Sequence, residues 1–179
     1  SGQMRQVTSV KFPSNATCMA FAPIPGGRQR SRFLMIGGED SIVRLLSCDP
    51  SDRMSQLALQ AAAKPPSSVF FTAVNDRLYA HIGLRNGVYV RLTVDQTNGA
   101  LNDPQSRYLG AAPIVFHDVR PTGHLIAYCT KPYLIFSDQS RLQMVPMACE
   151  GYFGFAAFST PTIPNSILAI SRDHFSILM

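Results

Sequence analysis

The sequence predicts an all-β protein built from antiparallel meanders. Three observations predict it. The apolar stretches are short and alternate with polar residues, they are bounded by Gly, Pro, Asn and Asp, and one strand–turn–strand pattern recurs four times along 179 residues. The four copies are Phe33–Ser47, Leu78–Val94, Leu125–Ser137 and Ile167–Met179, and successive copies start 45, 47 and 42 residues apart. That is the period of propeller blades with four strands each. Solenoids of paired helices share the period, but Asn86-Gly87 and Asn98-Gly99 flank an alternating run, Val88–Val94, that suits a strand between tight reversals. The expected fold is a β-propeller fragment of about four blades, each a four-stranded antiparallel meander. It is WD40-like, although the chain contains no Trp.

Each pattern supplies the second and third strands, B and C, of a blade. The first strands, A, are expected at Ala16–Ala22, Val69–Val74, Ile114–Val119 and Phe153–Phe158. The fourth, D, are expected at Gln56–Ala61, Arg107–Leu109 and Leu142–Met147. Ser51–Ala63 is rich in Ala, Leu and Gln and would suit a helix by propensity; the repeat requires a strand there. The whole chain, 1–179, then reads as part of one propeller, with blades at about 16–61, 69–109, 114–147 and an incomplete one at 153–179. Val7–Phe12 is left as a D strand whose own blade is missing, while the last blade has A, B and C only. Either the leading strand closes a small ring on the last blade, or both edges pair with parts of a longer parent chain, which implies an interface or a swapped dimer. The opening Ser1-Gly2-Gln3 and the apolar close at Ser176–Met179 are expected of a segment of a longer protein.

Composition narrows the function classes. Charged residues make up 15% of the chain, against roughly 25% in an average soluble protein, so part of the surface is expected to be covered. The net charge of +5 favours acidic partners without choosing among them. Cys18, Cys48, Cys129 and Cys149 form no C-x-x-C pair and read as free thiols. No apolar run approaches the roughly 20 residues of a membrane span. Phosphate-loop, G-x-S-x-G and H-E-x-x-H patterns are absent, and His81, His117, His124 and His174 are dispersed. The carboxylates sit in turns, where their own backbone explains them. No catalytic, cofactor-binding or metal-binding residue is assigned, and an enzyme is not expected.

One charged cluster stands out. Gly27–Arg32 (GRQRSR) places Arg28, Arg30 and Arg32 between an A and a B strand, where forked guanidiniums suit phosphate or acidic side chains. Arg85, in the turn of the second pattern, is a further candidate contact. Aromatic residues for base stacking are not interleaved with these arginines, so direct RNA contact is the lesser reading.

At Gln29–Leu34 (QRSRFL), Asp49–Asp52 (DPSD), Gly83–Gly87 (GLRNG) and Arg107–Gly110 (RYLG), the chain resembles the splicing factor 3B subunit 3 family. This family belongs to a superfamily shared with the large subunits of the damaged-DNA-binding complex and of the cleavage and polyadenylation factor. The resemblance runs from Ser1 to Ser171, with Gly83–Gly110 its most specific part. Ala61–Asp76 is shorter than its counterpart in the family, and Pro121–Pro132 diverges. The resemblance implies three propellers of about seven blades each, with this segment in the latter part of the middle one. It further implies a nuclear, non-enzymatic scaffold of the splicing factor 3B complex that supports branch-point recognition in pre-mRNA splicing. Implied partners are the other splicing factor 3B subunits, including the helical-repeat subunit, and further spliceosomal proteins. Two alternatives stand beside it: a nucleic-acid-binding module working through Arg28, Arg30 and Arg32, and a ubiquitin-ligase adaptor of the damaged-DNA-binding type.

Overall fold

A computed structural model describes residues 9–119, 124–139, 141–149 and 151–179. In the first sheet β1 (Ala16–Phe21), β2 (Phe33–Gly38), β3 (Ile42–Ser47) and β4 (Gln56–Ala61) lie in chain order, each antiparallel to the next. The second repeats the arrangement with β5 (Pro66–Val74), β6 (Arg77–Leu84), β7 (Val88–Val94) and β8 (Leu101–Tyr108). A third follows with β9 (Val115–Val119), β10 (His124–Tyr128), β11 (Pro132–Asp138) and β12 (Arg141–Pro146). The last sheet has three strands, β13 (Gly154–Phe158), β14 (Ser166–Ile170) and β15 (Phe175–Leu178). These are propeller blades. Their first strands line one axis, β1 packing on β5, β5 on β9 and β9 on β13. β13 does not pack back on β1, so the blades form an open arc and not a small closed ring.

The period of two in the sequence dictates how the blades stack. Along β2, Phe33 and Met35 join β3's Val43 and Leu45 against β5 and β6, whereas Leu34 and Ile36 turn to the opposite face. In β6, Leu78, Ala80, Ile82 and Leu84 face the first blade. Their neighbours Tyr79 and His81 are also buried, and His81 meets Phe116 of the third blade. In β10, Leu125 and Ala127 enter the core between the second and third blades, and Ile126 enters the core between the third and fourth. β2, β6 and β10 are therefore buried on both faces, as sheets covered on both sides require.

Differences from the expected strands have local causes. The stretch 51–63 divides into a single 3-10 turn at Pro50–Asp52 and the strand β4. The fourth strand of the second blade, expected at Arg107–Leu109, begins at Leu101. Pro104 reads as a breaker, but on an outer edge its missing N–H costs no ladder bond, and a bulge at Asp103 (φ 50°) absorbs the irregularity. The two Asn-Gly pairs are not two-residue turns. Gly87 donates its N–H to the Leu84 carbonyl, and Gly99 donates to the Asp95 carbonyl; each glycine supplies one left-handed residue (φ 76°) at the end of a longer loop. In the expected leading strand, residues 7 and 8 lie outside the described residues, and 9–12 are not in a sheet.

Gly87 sits so close to the next connection that a Cβ there would overlap the Gly110 carbonyl oxygen, whereas Gly27 at φ 78° faces open space. Gly27→Ala is expected to cost only the left-handed conformation, about 1 kcal/mol, and Gly87→Ala roughly 2 kcal/mol or more. Urea unfolding of both variants measures the difference.

Candidate functional site

In a meander, the A–B and C–D turns lie at one end of every blade, and the B–C turns and blade-to-blade connections lie at the other. Arg28, Arg30 and Arg32 belong to the A–B loop of the first blade, 22–32. Pro23, Pro25 and Gly27 keep that loop out of any sheet, and the Arg28 N–H closes a turn on the Pro25 carbonyl. Arg28 reaches across to the C–D turn of its own blade, with Nη2 2.9 Å from Asp49 Oδ1. Arg32 approaches the same carboxylate at 3.8 Å and donates to the Thr97 carbonyl of the second blade at 2.9 Å. Its guanidinium lies 5.5 Å from the centre of the Phe33 ring. Arg30 is exposed and makes no ion pair or hydrogen bond among the described residues.

Arg28 and Arg32 therefore converge on Asp49, Arg30 stands apart, and the three do not form an uncompensated basic patch. Asp49 answers two of them, and Asp52, held by Ser47 Oγ at 2.6 Å, sits in the same turn. Beside the loop, between the first and second blades, is a cleft of about 390 Å³ lined by Ile24, Arg32, Asn75, Asp76 and Gln96 among others. It is shallow and mixed in polarity. Among the described residues, this end of the arc presents a ridge with an exposed Ile24 and with the Arg30 guanidinium, like those of Arg53 and Arg77, free of ion pairs.

Arg85 lies at the opposite end, in the B–C turn of the second blade. It makes a forked pair with Glu39 in the B–C turn of the first, at 3.0 and 2.5 Å. The four candidate arginines thus occupy two ends of the arc, and Arg32 and Arg85 each tie the first blade to the second.

Two further groups carry no simple signal in the sequence. Between the second and third blades, Arg91 donates to the Leu142 carbonyl at 3.5 Å and Arg107 to the Met144 carbonyl at 3.3 Å. These contacts bound a groove of about 290 Å³. The only available hint is that both arginines occupy alternating positions on neighbouring strands. The second group is buried. His81 has no exposed surface; its Nε2 is 2.7 Å from Thr72 Oγ1 and its Nδ1 2.8 Å from the Tyr89 hydroxyl. A neutral ring satisfies both, accepting at one nitrogen and donating from the other. Burial, aided by the nearby Arg91 charge, pushes its pKa down to about 3, and burial pushes the Tyr89 hydroxyl up. This triad spans the A, B and C strands of one blade, with Tyr89 bordering the groove between the second and third blades. Among the described residues, no cluster of three His, Cys, Asp or Glu side chains could hold a metal ion, and no helix is long and apolar enough to cross a membrane.

Residues 1–179 match the family described as the RSE1/DDB1/CPSF1 second beta-propeller. The chain is 34% identical to Splicing factor 3B subunit 3 of Danio rerio, a match covering 99% of this chain and 16% of that protein. It is 38% identical to Pre-mRNA-splicing factor rse1 of Emericella nidulans (93% and 15%). It is also 30% identical to Spliceosome-associated protein 130 A of Arabidopsis thaliana (100% and 16%). It therefore spans only a minor share of these relatives. Among solved structures it resembles BBS1N from the crystal structure in complex with ARL6DN, soaked with lead, at TM-score 0.61 and 11% identity. That likeness covers 99% of this chain and 52% of the other, and it concerns the fold alone.

Two predictions follow from the geometry of the polar groups. Unfolded, His81 takes up a proton near its usual 6.5; folded, it does so near 3. Stability should therefore fall as pH drops from about 6.5 towards 3, by up to about 1.4 kcal/mol per unit from this residue. Its imidazole NMR signals should show no protonation down to pH 4. For the ridge, Arg30→Ala should leave stability within about 0.5 kcal/mol, and Arg32→Ala should lower it by about 1 kcal/mol. Chemical denaturation separates the two.

Proposed function

The chain belongs to the second-propeller family shared by RSE1, DDB1 and CPSF1, and from that membership we propose that it is a non-enzymatic interaction scaffold in pre-mRNA splicing. The observation that carries the proposal is the match of nearly the whole chain to proteins named as splicing factors. On this reading it works in the nucleus as a section of the splicing factor 3B complex and supports branch-point recognition. Its partners are the other subunits, including the helical-repeat subunit, and further spliceosomal proteins.

The physical means is rigid display. Stacked blades fix the turns at both ends of the arc, and the ladder hydrogen bonds within each blade are internal, so a partner is held by a few side chains on one face. Arg30 and Ile24, exposed on the 22–32 loop, are the contacts proposed at one end. Arg28, Arg32 and Arg85 shape the surface around them through Asp49, Thr97 and Glu39. A nucleic-acid module working through Arg28, Arg30 and Arg32 has less support, because Asp49 neutralises two of the three.

Affinity capture from nuclear extract with the tagged chain tests the reading. Splicing factor 3B subunits should be recovered, and Ile24→Asp with Arg30→Glu should reduce recovery about tenfold or more. Recovery of a cullin in their place would support the ubiquitin-ligase adaptor and sink this proposal. RNA affinity that falls steeply with salt and with Arg30→Ala would support the nucleic-acid module instead.

A further inference from the structure

The gap between the second and third blades holds a groove of about 290 Å³ whose two walls differ in chemistry. On the second blade, Tyr89 of β7 lies opposite Arg107 of β8, and Arg91 lies opposite Gln105. Arg91 and Arg107 are therefore diagonal neighbours, and both border the groove. On the third blade, the facing wall is Ile135 of β11 with Leu142 and Met144 of β12. β8 and β12 are the outermost strands of their sheets, so the groove opens on the rim of the arc, away from the line of first strands. Both blades lie inside the arc, each with a neighbour on either side.

The two guanidiniums in this groove differ from others that bridge elements. Arg28, Arg32, Arg44 and Arg85 each face a carboxylate, at 3.8 Å or closer. Among the described residues, Arg91 and Arg107 face none. Each spends one N–H on a backbone carbonyl, that of Leu142 at 3.5 Å and that of Met144 at 3.3 Å. These are long bonds; an arginine–carboxylate bond is about 2.7–2.9 Å and roughly twice as strong as a neutral one. Aromatic rings hold the charges in place. Arg91 lies 5.6 Å from the centre of the Tyr79 ring, and Arg107 lies 5.9 Å from that of Tyr133. Arg91 is also half-buried, and a charge so placed gains more from a counter-ion than one in open water. The site is positioned, cationic and short of acceptors.

We propose that this groove binds an extended peptide segment in which acidic and apolar residues alternate. In an extended chain successive side chains point to opposite sides, and residues two apart lie about 6.5–7 Å from each other. Diagonal positions on paired strands are about 7–8 Å apart. Two carboxylates two residues apart therefore match Arg91 and Arg107, each as a forked pair. The residue between them turns to the other wall, where Ile135, Leu142 and Met144 receive an apolar side chain. The carbonyls of Leu142 and Met144, given up by the arginines, are left to water or to peptide N–H groups. A nucleic-acid strand fits less well. The facing wall is aliphatic, and the one ring lining the groove, Tyr89, is buried and bonded to His81, so no base can stack on it.

Fluorescence anisotropy tests this with the labelled peptide Gly-Glu-Leu-Glu-Leu-Glu-Gly and the whole 179-residue chain. A dissociation constant of about 100 μM or tighter is expected at about 0.1 M salt. The same peptide with Gln in place of Glu should bind at least about tenfold more weakly. Arg107→Gln, at an exposed position, should weaken binding of the acidic peptide about tenfold. Met144→Glu sets a carboxylate of the chain's own against the arginines and should abolish binding. Both variants should keep the parent circular dichroism spectrum, and Arg30→Gln, in the 22–32 loop, should keep the parent affinity. No binding of the acidic peptide, equal binding of the Gln peptide, or full affinity in both groove variants would overturn the proposal. Tighter binding of single-stranded oligouridine, lost in Arg107→Gln, would overturn it in favour of nucleic acid. The peptide is synthetic and no splicing subunit takes part, so failure here is separate from failure of the scaffold reading.

Discussion

A strand that is apolar on both faces cannot lie at a surface; it needs cover on either side. β2, β6 and β10 all have this character, and the arrangement of the molecule follows from it. One face of β6 is satisfied by the first blade and the other by the third. Blades must therefore stack, and because sheets twist, the stack curves around the line formed by β1, β5, β9 and β13. The cores are not one mass but successive layers between neighbouring blades.

Polar groups fill the places such layers leave. At the rims, guanidiniums bridge blades: Arg32 to Thr97, Arg85 to Glu39, Arg91 to Leu142 and Arg107 to Met144. Most of these use a carbonyl as acceptor, so they require no matching carboxylate, which suits a chain with 16 basic and 11 acidic residues. Arg44 is the exception in depth. It is buried on the first blade's leading face, and its forked contact holds the Asp40 carboxyl down at about 2. Inside the second blade, the Thr72–His81–Tyr89 chain gives a buried polar ring two partners.

Much of this was legible beforehand because strand alternation is local. The positions of β2, β3, β6 and β7 follow from residues two apart, and the repeat locates their neighbours. What was not legible depends on distance along the chain or on backbone angles. That Arg28 and Arg32 share Asp49, and that Arg85 stands at the other end of the arc with Glu39, requires knowing which turns meet. That Gly87 and Gly99 each close a longer loop depends on asparagines that keep negative φ. That the fourth strand of the second blade runs through Pro104 depends on its being an edge, which a sequence window does not contain. The leading segment reads as a fourth strand, whereas residues 9–12 belong to no sheet and Phe12 packs against Leu34, Ile36 and Leu46, a contact no sequence window contains.

The meander has a consequence for how the chain reaches this state. Every strand pairs with its immediate neighbour in sequence, so each sheet closes over short loops and its contacts form early and cheaply in entropy. Yet a lone blade exposes both apolar faces, and neither is satisfied until another blade docks. Folding should therefore resemble the zipping of a short linear array more than the collapse of a single globule, with nearest-neighbour coupling setting cooperativity. The second and third blades, docked on both sides, are the natural place for that process to begin. The fourth, with three strands and one covered face, is where it should finish.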